Sequence, residues 1–218
     1  MPKPAQVDVW RIALGAPLTP DSDATLDAAE RTRADRFHFD RDRRRFIRSH
    51  DALRRILARY QDAEPSALRF LAASNGKPYL PDRSLHFNLS HSADHALVAV
   101  SLDCPVGVDV EIERELDYLP AARLVFHADE LVQLETQSGP ALREDFFHCW
   151  VRREAFLKGL GLGIGAAKGL EPVWRRGQLQ TTPRQGWRVV GLNASPGARA
   201  ALAAAAEEVE WTEQDWPG

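Results

Sequence analysis

The sequence predicts an α+β protein made of two halves of similar size. A strand, helices and further strands follow one another twice, because apolar residues alternate in some stretches and recur at helical spacing in others. The division lies at 103–105, which gives an N-terminal half at 1–104 and a C-terminal half at 105–218. Hydrophobic residues make up 44% and charged residues 27% of the 218-residue chain, which excludes a disordered or fibrous protein.

The N-terminal half is expected to contain four strands and two helices. In the longer helix, Phe46, Leu53 and Leu57 recur at the spacing of one helix face. The predicted elements are strands at 7–14, 67–73, 84–89 and 96–102, a helix from Asp21 or Ser22 toward Arg36, and a helix at 40–60.

The C-terminal half is expected to contain three strands and three helices. Its predicted elements are strands at 106–112, 187–192 and 198–206 and helices at 119–126, 128–136 and 141–158. The alanines of 198–206 favour a helix by intrinsic propensity. Because this segment follows a strand and the turn Ser195-Pro196-Gly197, we predict a strand there.

Composition and charge exclude several classes of function. A net charge of −3 argues against a general nucleic-acid-binding protein. The segment 31–59 is nevertheless basic, with eleven arginines against four aspartates, and predicts either a solvated helix face or a phosphate-binding surface.

Cys104 and Cys149 form no C-x-x-C pair, so structural zinc is not expected. Without an apolar leader or a run of about 20 apolar residues, we expect a cytosolic protein.

Two familiar motifs, a dinucleotide-binding loop and a hydrolase triad, do not fit this sequence. The glycine-rich run after Lys158 has Ala166 where a dinucleotide-binding loop needs glycine, and it follows a helix. Ser90 and His91 are neighbours on a predicted strand, so they point to opposite faces and suit a nucleophile and its base poorly. A hydrolase triad is therefore not expected.

A pair of carboxylates carries the strongest chemical signal. Asp109 and Glu111 stand at i and i+2 on a predicted strand, so both project from one face. Carboxylate oxygens suit a hard cation, Mg²⁺ or Mn²⁺. The alternative is that both side chains face water at a strand edge.

Two further segments can complete a site. Glu154 and Lys158 share a helix face and form either a surface ion pair or a third oxygen ligand with a phosphate contact. Ser90 and His91 lie in F-N-L-S-H-S, a passage from apolar to small polar residues that can donate hydrogen bonds to a phosphate.

Three ordered motifs resemble one enzyme family. F-N-L-S-H-S at 87–92, G-V-D-V-E at 107–111 and W-V-R-R-E-A-F-L-K at 150–158 are similar to those of 4′-phosphopantetheinyl transferases of the surfactin-synthetase-activating type. The likeness extends to Gly76-Lys77-Pro78 and to Arg54 on the second helix. One departure is Arg153, because the family usually has lysine there and a guanidinium fork replaces a point charge.

The resemblance implies two α+β halves related by a pseudo-twofold, with the active site in the cleft between them. It implies transfer of 4′-phosphopantetheine from coenzyme A, the co-substrate, to a serine of an apo acyl or peptidyl carrier protein, with release of adenosine 3′,5′-bisphosphate. Carried over by position, the metal ligands for Mg²⁺ or Mn²⁺ are Asp109, Glu111 and Glu154, and the contacts for coenzyme A are Arg41, Arg54, Lys77, Ser90, His91 and Lys158.

The general base stays open among Glu154, Glu130 and a water on the metal ion. Neither a nucleic acid nor a membrane is expected as a partner, and a cleft formed within one chain favours a monomer. Two alternatives remain: a Mg²⁺-dependent phosphoesterase that acts on pyrophosphates like that of coenzyme A, and a non-catalytic protein that binds coenzyme A or a carrier.

Overall fold

The computed structural model describes residues 3–167 and 169–218. Over these residues the chain has five α-helices, two four-stranded sheets and a two-stranded ribbon. The predicted α+β class is therefore confirmed. None of the described helices is both long enough and apolar enough to span a bilayer.

The first sheet has the strand order β10-β1-β5-β4. Its strands are β1 at Ala5–Ala13, β4 at His86–Ser92, β5 at His95–Ser101 and β10 at Val209–Asp215. Strand β5 pairs antiparallel with both β1 and β4, while β10 pairs parallel with β1. Strand β10 thus lies in a sheet whose other three strands all precede residue 104. The division of the chain at 104/105 stays a prediction.

The second sheet is antiparallel with the order β6-β9-β8-β7. Its strands are β6 at Val106–Ile112, β7 at Gln180–Thr181, β8 at Arg188–Leu192 and β9 at Ala198–Ala204. The strand predicted at 198–206 is confirmed, because pairing with β6 on one side and β8 on the other outweighs the helix propensity of its alanines.

The helices flank these sheets. They are α1 at Ala28–Ala34, α2 at Asp40–Gln61, α3 at Tyr118–Val125, α4 at Ala128–Glu135 and α5 at Gly139–Leu160. The first helix begins later than predicted, because Asp27 is its N-cap and forms a capping box with Glu30. The strand predicted at 67–73 shrinks to β2 at Leu71–Ala72, which pairs with β3 at Pro78–Tyr79.

Three apolar layers hold the elements together. Helix α2 packs through Leu53 and Ile56 on the first sheet, and α5 packs through Phe156 on the second. Side chains from both sheets share a third cluster, in which Val9 of β1 and Val108 of β6 are fully buried. The sheets are therefore joined by a common core.

Each long helix carries one fully buried arginine, Arg54 in α2 and Arg153 in α5, and each is the fifteenth residue of a 22-residue helix. Arg54 bonds Glu30 and Arg153 bonds Glu130, and both glutamates are the capping-box residues of a short helix. Arg153 also donates to the carbonyl of Glu171 at 3.0 Å, a second contact that the guanidinium fork permits. The same arrangement thus occurs beside each long helix.

The burial of Arg54 corrects the expectation that it contacts coenzyme A. Its side chain is 0% exposed, and its guanidinium donates to Glu30 at 2.6 Å and to Asp27 at 2.8 Å. It also donates to the carbonyl oxygens of Pro65 and Leu68 at 3.1 and 3.0 Å. These four contacts tie α1 and the segment after α2 to the long helix, so Arg54 has a structural role.

Strand β6 crosses α5 at Gly107. A Cβ atom on Gly107 would lie 2.1 Å from the carbonyl oxygen of Ala155 and 2.3 Å from the nitrogen of Gly159. Both atoms belong to the helix backbone, so no side-chain rotation could relieve the clash. The glycine of the G-V-D-V-E motif therefore allows the close approach of β6 and α5.

Gly107→Ala should lower the free energy of unfolding by about 3 kcal/mol, because β6 must move away from α5. Urea denaturation of the purified protein measures this change. Gly163→Ala is the matched control, since a Cβ there meets no atom within 4 Å and its φ of −88° suits alanine. Equal stabilities of the two variants would contradict the proposed close contact.

Arg54→Ala should cost about 3 kcal/mol of stability, because it leaves the partly buried Glu30 without its cation. Arg55→Ala is the control, because Arg55 is 32% exposed and pairs only with Asp51 along the same helix, which should cost less than about 1 kcal/mol. Urea denaturation measures stability, and calorimetry measures coenzyme A affinity of the folded protein. Weaker coenzyme A binding at unchanged stability would restore the role expected from the sequence.

Candidate functional site

The two sheets meet where β4 lies beside β6. The two strands belong to different sheets, and side chains of β4 bridge them. Three side-chain oxygens of β4 accept hydrogen bonds from backbone N–H groups of β6: Asn88 Oδ1 from Val108 (2.9 Å), Ser90 Oγ from Val110 (3.4 Å) and Ser92 Oγ from Ile112 (3.2 Å). We call this contact the β4–β6 seam.

The two carboxylates predicted on β6 lie at this seam. Ser90 donates its hydroxyl hydrogen to Asp109 Oδ1 at 2.8 Å, and Ser92 donates to Glu111 Oε2 at 2.8 Å. Asp109 is only 3% exposed, whereas the side chain of Glu111 is 23% exposed. The alternative that both carboxylates face water at a strand edge therefore does not hold for Asp109.

Helix α5 brings a cation to the buried carboxylate. The ammonium of Lys158 lies 2.6 Å from Asp109 Oδ1 and donates to Ser90 Oγ at 2.9 Å. The predicted partners Ser90, Asp109 and Lys158, which come from three separate segments, thus form one contact. Lys158 neutralises part of the charge that burial of Asp109 would otherwise leave uncompensated.

Glu154 lies one helical turn before Lys158 and shares the same electrostatic environment. Burial, followed by the negative charge of Asp109, raises the pKa of Glu154, while Lys158 opposes the shift and Glu111 adds to it. Burial likewise raises the pKa of Asp109 against the effect of Lys158 and Ser90. The three carboxylates therefore carry more negative charge than Lys158 alone offsets.

The donor set suits a divalent cation without forming a closed cage around one. Asp109 Oδ2 is buried and makes no hydrogen bond, which leaves one carboxylate oxygen open to a ligand. In the part of the chain that the structure describes, no three carboxylate, imidazole or thiol side chains are grouped closely enough to be a preformed metal site. Carboxylate oxygens are ligands that suit Mg²⁺ or Mn²⁺, so the donor set fits such an ion.

Two predicted contacts for coenzyme A are open to solvent. His91 is exposed, and it projects from the face of β4 opposite to the buried Ser90. Desolvation by neighbouring atoms, followed by the charges of Lys158 and Arg33, lowers the pKa of His91. The side chain of Arg41 is 70% exposed, and its nearest carboxylate is Asp42 at 3.6 Å.

The ammonium of Lys77, unlike His91 and Arg41, is turned toward the protein backbone. Its ammonium donates to the carbonyl oxygens of Lys158 at 2.6 Å, Val106 at 2.9 Å and Gly159 at 3.3 Å. Burial lowers the pKa of Lys77 to about 8. The structure thus shows Lys77 tying the β2–β3 ribbon to the end of α5 and the start of β6.

The burial of Glu130 corrects its candidacy as a general base. Glu130 is 0% exposed, and one carboxylate oxygen accepts hydrogen bonds from the N–H groups of Val173 at 2.7 Å and Trp174 at 3.1 Å. The other oxygen accepts from the N–H of His127 at 2.9 Å and from Arg153. A carboxylate with four donors and no access to solvent cannot take a proton from a substrate.

Sequence reasoning gave no role to Asn88 and Ser92, which form two of the three bridges of the seam. A signal was present, because positions 88, 90 and 92 place three small polar side chains on one face of an otherwise apolar strand. The groups that this face contacts depend on the register between β4 and β6. The sequence pattern of β4 does not specify that register.

Comparisons with known proteins identify the family of this chain. The profile of the 4′-phosphopantetheinyl transferase superfamily matches residues 105–203. The profile described as 4′-phosphopantetheinyl transferase, N-terminal, matches residues 22–103.

Curated relatives match along most of the chain. The chain is 36% identical over 210 residues to 4′-phosphopantetheinyl transferase HetI of Nostoc sp., covering 92% of this chain and 88% of HetI. It is 34% identical over 193 residues to a putative 4′-phosphopantetheinyl transferase of Synechocystis sp., covering 84% and 78%. It is 26% identical over 161 residues to 4′-phosphopantetheinyl transferase Sfp of Bacillus subtilis, covering 72% and 71%. The chain therefore belongs to the 4′-phosphopantetheinyl transferase superfamily.

Proposed function

We propose that this protein transfers 4′-phosphopantetheine from coenzyme A to a serine of an apo acyl or peptidyl carrier protein in a Mg²⁺-dependent reaction. Adenosine 3′,5′-bisphosphate is the second product. The observation that carries the proposal is the buried Asp109, which pairs with Lys158 through one oxygen and leaves the other open.

Asp109, Glu111 and Glu154 are the residues that would hold Mg²⁺, with Mn²⁺ as an alternative ion. The bound ion would neutralise charge on the pyrophosphate of coenzyme A and fix its orientation. Burial, with a smaller contribution from neighbouring carboxylates, raises the pKa of Asp109 and of Glu154, and a cation bound beside them would offset both effects.

Lys158 supplies a second positive charge at the same place. Its side chain is 28% exposed, so the lysine that contacts Asp109 is also accessible to a ligand from solvent. A pyrophosphate oxygen is the ligand that we assign to it. This pairing would favour the departure of adenosine 3′,5′-bisphosphate, whose negative charge grows as the bond to it breaks.

The transfer also requires a group that takes the proton of the carrier serine. The serine oxygen bonds to the phosphorus that carries pantetheine, the bond from this phosphorus to adenosine 3′,5′-bisphosphate breaks, and the hydroxyl proton moves to a base. Glu154 and a water on the bound ion are the candidates for this base, because Glu130 is 0% exposed.

The arginine-rich start of α2 suits the charges of both substrates. Arg41 and Arg44 are more than half exposed, and His91 is exposed on the neighbouring strand. We assign the 3′-phosphate of coenzyme A to Arg41 and His91. Carrier proteins of this kind are typically acidic, so exposed arginines would also speed their association with a single copy of this chain.

The test is incubation of the protein with coenzyme A, Mg²⁺ and an apo carrier, followed by intact-mass measurement of the carrier. A gain of one phosphopantetheine group is expected. Cleavage of coenzyme A without a change in carrier mass would instead support a phosphoesterase. Unchanged coenzyme A and carrier would support a protein that binds without turnover.

Asp109→Asn should reduce the transfer rate by about 100-fold or more, because it removes the charge that holds both the cation and Lys158. The rate is measured by carrier mass across a Mg²⁺ titration. Asp82→Asn is the control, since Asp82 is exposed in the loop before β4 and accepts only from the N–H of Ser84. A rate in Asp109→Asn equal to that of the control would remove the proposed metal site.

A further inference from the structure

Each of the two carboxylates on β6 is held by a serine of the other sheet. We propose that Ser90 and Ser92 are positioning residues, whose hydroxyl groups orient Asp109 and Glu111 toward the bound cation. The inference rests on the proposed function and extends it, because it makes the first sheet complete a metal site whose ligands lie on β6 and α5.

The hydrogen bonds fix the direction of each hydroxyl proton. A serine hydroxyl has one hydrogen to donate and can also accept. Ser92 Oγ accepts from the N–H of Ile112 at 3.2 Å, so its own hydrogen is directed to Glu111 Oε2 at 2.8 Å. A backbone N–H can only donate, so the serine oxygen accepts that hydrogen bond and the serine hydroxyl donates to the carboxylate.

The same geometry occurs one repeat earlier along the strands. Ser90 Oγ accepts from the N–H of Val110 and from Lys158, and it donates to Asp109 Oδ1. In both cases the serine bonds the carboxylate of one β6 residue and the backbone N–H of the next β6 residue. This repetition follows from the strand period of two, and it makes a chance contact of either serine a poor explanation.

The serine bonds leave one oxygen of each carboxylate for another ligand. On Asp109, Oδ1 bonds Ser90 and Lys158 while the buried Oδ2 makes no hydrogen bond. On Glu111, Oε2 bonds Ser92 and lies 3.3 Å from Arg114 Nη1. Groups that hydrogen-bond metal ligands fix their orientation and raise affinity for the ion.

The arrangement also replaces the role expected for Ser90. Its oxygen already contacts Asp109, Lys158 and Val110, and Ser90 is 5% exposed. A phosphate of coenzyme A would have to displace one of these contacts. The exposed His91 next to it does not have this restriction.

Ser92 gives the cleaner test, because it does not contact Lys158. The variants are Ser92→Ala, which removes the hydroxyl, and Ser92→Thr, which keeps it. Ser101→Ala is the matched control, since Ser101 on β5 is a 3% exposed serine whose hydroxyl donates to the carbonyl of Gln6 and accepts from the N–H of Asp103. Its loss should cost stability without touching a carboxylate.

The experiment measures Mn²⁺ affinity of the full-length protein by electron paramagnetic resonance, with and without coenzyme A, and stability by urea denaturation. Ser92→Ala should bind Mn²⁺ about tenfold more weakly. In the transfer assay its apparent KM for Mn²⁺ should rise by the same factor, with kcat at saturating Mn²⁺ within about twofold of the wild type. Ser92→Thr and Ser101→Ala should keep wild-type affinity.

Three results would overturn the inference. One is wild-type Mn²⁺ affinity in Ser92→Ala together with normal carrier modification, which leaves the transferase proposal intact. Another is equal weakening in Ser92→Ala and Ser101→Ala, which would mean a general loss of stability. The third is a wild-type protein that binds no Mn²⁺, which would also remove the metal from the proposed function. If the wild type binds Mn²⁺ but leaves the carrier unmodified, the affinities of the variants still decide the role of Ser92.

Discussion

The hydrogen bonds of the β4–β6 seam are the constraint on which the site depends. Strand β6 forms the edge of the second sheet, and its N–H groups at Val108 and Val110 are buried where the two sheets meet. Each such group left without a partner would cost about 1–3 kcal/mol. Side-chain oxygens of β4 supply those partners, and two of the bridging side chains, Ser90 and Ser92, also contact the carboxylates of β6. One set of contacts therefore joins the sheets and positions acidic groups between them.

Charge balance gives this region its chemistry. Asp109 is buried beside a single ammonium, and burial, Asp109 and Glu111 together raise the pKa of Glu154. Such a cluster is more stable with a further cation than without one. By contrast, Arg54 and Arg153 each pair directly with a glutamate, and backbone groups provide further partners for both arginines and for Glu130. The first cluster is suited to binding and the other two to stability.

The sequence predicted elements whose pattern is local. The strand at 106–112 coincides with β6, and α2 ends one residue after the predicted helix. Asp109 and Lys158 were identified because their spacing follows strand and helix periods. The roles of Arg54, Glu130 and Ser92 were not predictable in this way. Whether an arginine is solvated or buried, and which serine faces a carboxylate, depends on contacts between segments about 20 or more residues apart.

Strand β10 shows the same limit at the largest separation. No element is predicted after residue 206, yet Ala5 pairs with Val209 of this strand. During synthesis on a ribosome, β1 must therefore wait for its parallel neighbour until residues 209–215 have been made. Pairings of such high contact order close slowly. The edge of β1 that later pairs with β10 is consequently unpaired in the nascent protein. Unpaired strand edges promote aggregation, so this is the stage at which we expect chaperones to bind.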